Sequence, residues 1–187
     1  EEERAHMVNR IGVICKDYNF QELTLGTAVR VMDRYMTSNV VDCHRNPQLV
    51  STVSLLIASK YHENAQNCLN LTDVLEYCTH TTKELIMQTE RLMFSALDYN
   101  LRKEITPFDF IFIFREYVCT VCANNGAENN SQHISTIFEE FECVDLWHTA
   151  TYLCEIGLIS SNVLQFRPSI VAASACTLAC RMCNRPT

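Results

Sequence analysis

Apolar residues recur three and four apart over most of the chain, the spacing of one buried face of an α-helix. Met7, Val8, Ile11, Ile14 and Cys15 make one such stripe, and Leu23, Leu25, Val29, Met32 and Tyr35 make a second. A third helix begins at Asn46-Pro47, where Asn can accept from the free N–H groups of a first turn and Pro lacks an N–H that would go unused. From Leu49 to Ala58 it is apolar or small on nearly every side, so it is expected to be surrounded by other helices. A short helix follows over Leu71 to Cys78. Thr81 and Glu84 have the spacing of a capping box, and the helix they open carries Leu85, Ile86, Leu92, Met93, Ala96 and Leu97 as its buried stripe.

The second half is apolar again from Phe108 to Val121 and over a helix at Pro168 to Met182. Between them the Asn-rich stretch Ala123 to His133 reads as a loop, and Ile134 to Phe141 as an added amphipathic turn or two. Sliding the chain along itself by 121 positions brings Pro47, Leu49, Val50, Ile57, Ala58 and Lys60 onto Pro168, Ile170, Val171, Leu178, Ala179 and Arg181. The same offset places Leu25, Met32 and Tyr35 on Leu146, Leu153 and Ile156. Two separate helices agreeing on one offset point to a doubled unit.

Composition narrows the class. A chain of 187 residues that is 48% hydrophobic can bury one ordinary core or two small ones, and four Gly with four Pro are too few for an all-β fold. Asp and Glu outnumber Lys and Arg 22 to 15, which argues against a general nucleic-acid binder. The eleven cysteines are odd in number and lie mostly inside apolar helical runs, where a free thiol acts as a small hydrophobe. That usage suits a reducing, intracellular compartment, the nucleus or the cytoplasm. No segment has the roughly 18 apolar residues of a membrane span, so no membrane partner is expected. The chain opens on Glu1-Glu2-Glu3 without Met, as an excised domain does.

Leu55-Leu56-Ile57-Ala58-Ser59-Lys60-Tyr61 and, thirty positions after Lys60, Glu90-Arg91-Leu92-Met93-Phe94-Ser95-Ala96-Leu97 each couple a hydrophobic run to an isolated charge. With Met32-Asp33-Arg34-Tyr35-Met36 and Leu97-Asp98-Tyr99-Asn100-Leu101, their order and spacing resemble the box of mitotic A/B-type cyclins, densest from Val8 to Leu101. The resemblance implies an all-α fold of two five-helix repeats, residues 1–103 and 104–187, the second incomplete at its C-terminal end. It further implies a regulatory subunit, itself no enzyme, that binds and activates a cyclin-dependent serine/threonine kinase in cell-cycle control. By position Lys60 and Glu90 are the residues that hydrogen-bond kinase backbone groups in the family, and Ile57, Tyr61, Phe94 and Leu101 the apolar contacts beside them. The residues agree independently, because Glu90 and Phe94 are one turn apart and Phe94 lies off the buried stripe, facing outward.

Two positions depart from the family pattern. Where many relatives carry Met-Arg-Ala-Ile-Leu and then Trp, forming a cleft for Arg-x-Leu docking peptides, this chain reads Glu3-Arg4-Ala5-His6-Met7, and Arg10 replaces the Trp. The patch that remains, Met7, Arg10 and Ile11, is expected to dock such peptides of substrates or inhibitors weakly. His62 stands where the family commonly has an acidic residue.

Two rival chemistries rank lower. Cys119-Thr120-Val121-Cys122 has Cys-x-x-Cys spacing and Cys176, Cys180 and Cys183 share a helical face, a donor set that zinc could use. Both Cys119 and Cys122 continue an apolar run with no matching ligand pair at finger-like spacing, so neither metal nor cofactor is expected. Doubled cyclin-like folds also serve in general transcription factors that bind DNA or transcription machinery. That alternative needs a basic face, and the Lys and Arg residues here are scattered.

Overall fold

The computed structural model describes residues 1–38, 46–126 and 144–183. Among them are eight α-helices and no strand. The helices are α1 (Glu2–Asp17), α2 (Glu22–Ser38), α3 (Pro47–His62), α4 (Leu71–Tyr77), α5 (Lys83–Ala96), α6 (Pro107–Gly126), α7 (Val144–Ile159) and α8 (Pro168–Met182). Short 3-10 turns at Leu101–Lys103 and Ser161–Gln165 follow α5 and α7. Two compact units form, one from Glu1–Thr106 with Leu158–Ser161, the other from Pro107–Gly157 with Asn162–Thr187.

The first unit is organised around α3, which packs against α1, α2, α4 and α5. Every residue from Leu49 to Ser59 is buried. A helix enclosed on all sides must satisfy its own hydroxyls, and this one does: Ser51 donates to the Pro47 carbonyl, Thr52 to Gln48, Ser54 to Ser51 and Ser59 to Leu56, at 2.8 to 3.0 Å. Small hydroxylated residues thus allow close approach of neighbouring helices without stranding a polar group. Pro47 opens the helix as expected, while Asn46 makes no side-chain cap.

Charge holds α1 to α2. The Arg4 guanidinium forks onto the Asp33 carboxylate at 2.7 and 2.9 Å, with both side chains largely out of solvent. A bidentate pair of this kind fixes register as well as distance.

Helix α5 corrects two sequence expectations. Its cap is Thr82, whose hydroxyl accepts from the Leu85 N–H at 3.3 Å, one residue beyond Thr81. Its buried stripe is Ile86, Thr89, Met93 and Leu97, and Leu92 is exposed instead. Thr89 can enter the core because its hydroxyl is satisfied within the helix by the Leu85 carbonyl.

In the second unit α6 packs against α8. Here the offset of 121 is visible in the helices, since α3 and α8 both start on a proline at that spacing and α2 and α7 end at it. Ala172, Ala175, Ala179 and Cys180 are the buried residues of α8. Residues 123–126, expected in a loop, continue α6. The rest of that loop and the amphipathic turn at Ile134 to Phe141 lie outside the described residues.

Candidate functional site

The enclosure of α3 ends abruptly: Ser59 is fully buried and Lys60 is exposed. Beyond the enclosed stretch from Leu49 to Ser59, the last turn of α3 therefore carries side chains that can meet another molecule. Lys60 Nζ donates to Glu90 Oε1 of α5 at 2.7 Å. The lysine side chain is 45% exposed and the glutamate 18%, so the pair sits at the surface with the carboxylate recessed. One ammonium N–H is used, which leaves donors and carboxylate lone pairs to serve a further partner. An exposed pair of this kind adds at most about 1 kcal/mol to stability.

Aromatic rings flank the pair. Tyr61 is 47% exposed, and its ring meets the His62 ring edge-on at 4.7 Å. Phe94, one turn beyond Glu90, is half-buried and stacks on Tyr99 with centroids 6.4 Å apart and planes within 4°. Leu101 is half-buried in the 3-10 turn after α5.

Tyr99 is the residue that sequence reasoning missed. It is 75% exposed, and it reaches Phe94 because Asp98 and Tyr99 both take left-handed backbone angles, φ 51° and 55°. Two consecutive non-glycine residues in that region are strained, a feature concentrated where surrounding contacts over-determine the backbone. Those contacts are present: Tyr99 N–H donates to the Phe94 carbonyl at 2.9 Å, and Arg34 of α2 lies 3.8 Å from Asp98. The sequence hint was the pair of polar residues, Asp98 and Asn100, on either side of an isolated tyrosine just past the helix end.

Ile57 departs from its expected place on the outer surface. At 1% exposure it belongs to the core, because α3 is still surrounded at that point. The structure thus places Lys60 and Tyr61 on the last turn of α3 and Glu90 and Phe94 on the C-terminal half of the neighbouring α5, with Ile57 buried one turn before Lys60.

The other candidate patch shows little apolar surface. Met7 and Ile11 are buried, and Arg10 donates through Nη2 to the Tyr77 carbonyl. An open groove there is lined chiefly by Glu1, Glu2, Glu3, His6, Met7 and Arg10.

No group of three His, Cys, Asp or Glu side chains among the described residues is arranged to hold a metal ion. The Cys119 and Cys122 side chains lie outside that set. Burial, reinforced by neighbouring Cys176, pushes the Cys154 thiol up to about 12, and burial pushes Cys176 up to about 11. Thiols so displaced stay protonated at neutral pH and are poor nucleophiles and poor ligands.

Against known proteins, the family model described as "Cyclin, N-terminal domain" matches residues 1–102, and "Cyclin, C-terminal domain" matches residues 105–187. The chain belongs to the cyclin family. This cyclin is 28% identical over 178 residues to Cyclin-A1-2 of Oryza sativa subsp. japonica, covering 94% of the chain and 33% of the relative. It is 28% identical over 181 residues to the G2/mitotic-specific cyclin-A1 of Caenorhabditis elegans, covering 96% and 32%. The chain spans about a third of the length of these relatives. A solved viral cyclin from herpesvirus saimiri superposes with TM-score 0.67 at 14% identity, over 99% of this chain and 72% of that one, a likeness of fold. No described helix is long and apolar enough to cross a membrane.

Proposed function

We propose that this cyclin is the regulatory subunit of a cell-cycle cyclin-dependent serine/threonine kinase and catalyses nothing itself. The observation that carries the reading is the surface ion pair between Lys60 and Glu90 at 2.7 Å, on the last turn of α3 and on α5, flanked by exposed Tyr61 and by the Phe94–Tyr99 stack. A donor and an acceptor held side by side between aromatic rings suit the backbone carbonyl and N–H groups at the end of another protein's helix. Leu101 belongs to the same surface, and Ile57 supports it from below. The interface buries on the order of 2,000 Å².

Docking there favours the kinase arrangement in which its mobile C helix is swung inward and the Lys–Glu ion pair required for phosphoryl transfer forms. Activation is a population shift, limited by how much more tightly the cyclin holds the active arrangement than the inactive one. Docking of Arg-x-Leu peptides is weak in this reading, because buried Met7 and Ile11 offer little apolar area and Arg10 and three glutamates rim the groove. The complex works inside the cell, in nucleus or cytoplasm.

Capture of cyclin-dependent kinases by the wild-type chain and by a Lys60→Ala plus Glu90→Ala variant tests the reading. Recovery should fall at least tenfold in the variant, about 1.4 kcal/mol or more, while the fold is kept. Equal recovery would remove the assignment.

A further inference from the structure

The two residues that follow the docking turn are tied to α2 by side chains that the docking role does not use. Thr27 Oγ1 lies 2.8 Å from His62 Nε2. Glu63 Oε1 accepts from the Gln21 N–H at 2.9 Å and from the Thr24 hydroxyl. Thr24 and Thr27 are one turn apart on α2 and both are buried. His62 and Glu63 are consecutive at the end of α3, where Glu63 is already extended at φ −92° and ψ 163°. The helix thus ends in a clasp of three bonds, one at its last residue, His62, and two to Glu63 just beyond its boundary. The Glu63 carboxylate also sits at the start of α2, where the aligned peptide dipoles favour an anion.

Helix ends fray when nothing holds them. Lys60 and Tyr61 are on the last turn, immediately before the clasp, and the His62 ring meets the exposed Tyr61 ring edge-on. We propose that His62, bonded to Thr27, is a positioning residue that keeps the last turn of α3 wound and so holds Lys60 and Tyr61 ready for the kinase. The inference rests on the docking reading above and adds to it how the surface is made ready. A side chain ordered before association has less freedom left to lose on binding, so the clasp acts on affinity without touching the kinase. Thr27 can donate to a neutral imidazole or accept from a protonated one, which keeps the bond in either state.

Two readouts separate the clasp from the docking reading. In the free chain, amide exchange at Lys60, Tyr61 and His62 should speed up about tenfold in His62→Ala and in Thr27→Val, the scale of one lost hydrogen bond, with no further rise in the double variant. His62→Gln, which can present an amide near the place of Nε2, and Thr27→Ser, which keeps the hydroxyl, should restore wild-type exchange. Affinity for the kinase captured by the wild-type chain should fall and recover in the same order. Unchanged exchange in His62→Ala, or exchange that glutamine fails to restore, overturns the clasp. Faster exchange with unaltered kinase affinity overturns its positioning role. Undiminished binding by Lys60→Ala plus Glu90→Ala, with exchange behaving as stated, overturns the docking reading and leaves the clasp a purely structural device.

Discussion

Helices α3 and α8 carry the same pattern 121 positions apart and bury it differently. Ala58 and its counterpart Ala179 are both at 0% exposure. Leu49 and Ile57 are 4% and 1% exposed, whereas their counterparts Ile170 and Leu178 are 52% and 49%. One helix is enclosed by four neighbours; the other is buried along a single stripe of Ala172, Ala175, Ala179 and Cys180. The periodicity of a segment therefore tells which residues share a face and not how many faces are covered, a distinction set by tertiary neighbours. A second counterpart pair makes the same point for charge. Asp33, paired with Arg4, corresponds to Cys154, a buried thiol kept neutral.

The largest effect expected from this comparison is at the charge pair. Arg4→Ala leaves the Asp33 carboxylate in a largely buried place without its partner and should cost about 3–5 kcal/mol in urea unfolding. Next is Ile57→Ala, which removes three methyl or methylene groups from an enclosed site and should cost about 2–5 kcal/mol. Leu178→Ala, its counterpart in α8, should stay within about 0.5 kcal/mol, and equal costs at the two positions would erase the contrast. Between those two is Thr82→Ala, expected at about 1 kcal/mol from the lost cap of α5.

A further effect appears only at alkaline pH. The folded Cys154 and Cys176 thiols titrate at about 12 and 11 against an ordinary value of 9.0. Their contribution to stability is fully present below pH 9, where the thiols are protonated in either state, and is lost as pH rises through 11 and 12. Replacing both with alanine should flatten that alkaline loss, measured by unfolding between pH 8 and 11, and an unchanged alkaline loss in the double variant would contradict it.

Much of this was legible in the chain. The stripes of α1 and α2, the enclosure of α3 and the proline starts of α3 and α8 follow from spacing and turn chemistry, because helical geometry fixes which residues share a face. The convergence of Lys60 with Glu90, on two different helices, was legible only through the resemblance to cyclins. What was not legible depended on neighbours or on single backbone angles. Ile57 shares a face with Lys60 yet lies in the core, since enclosure ends only one turn later. Tyr99 joins the site through two left-handed residues that no apolar period encodes. Thr82 displaced Thr81 as the cap because a one-residue shift in a helix start leaves the stripe unchanged.

The central claim is that the Lys60–Glu90 pair recognises a kinase through its polarity, donor on α3 and acceptor on α5, and does not serve merely to join the two helices. Exchanging the charges, Lys60→Glu with Glu90→Lys, retains an ion pair across the same gap and reverses what each helix presents. Titration of the kinase captured by the wild-type chain against this variant, with unfolding followed in parallel, is the most direct measurement. The account predicts a stability within about 1 kcal/mol of wild type and at least a tenfold loss of affinity. A swapped variant that binds the kinase as tightly as wild type would contradict it.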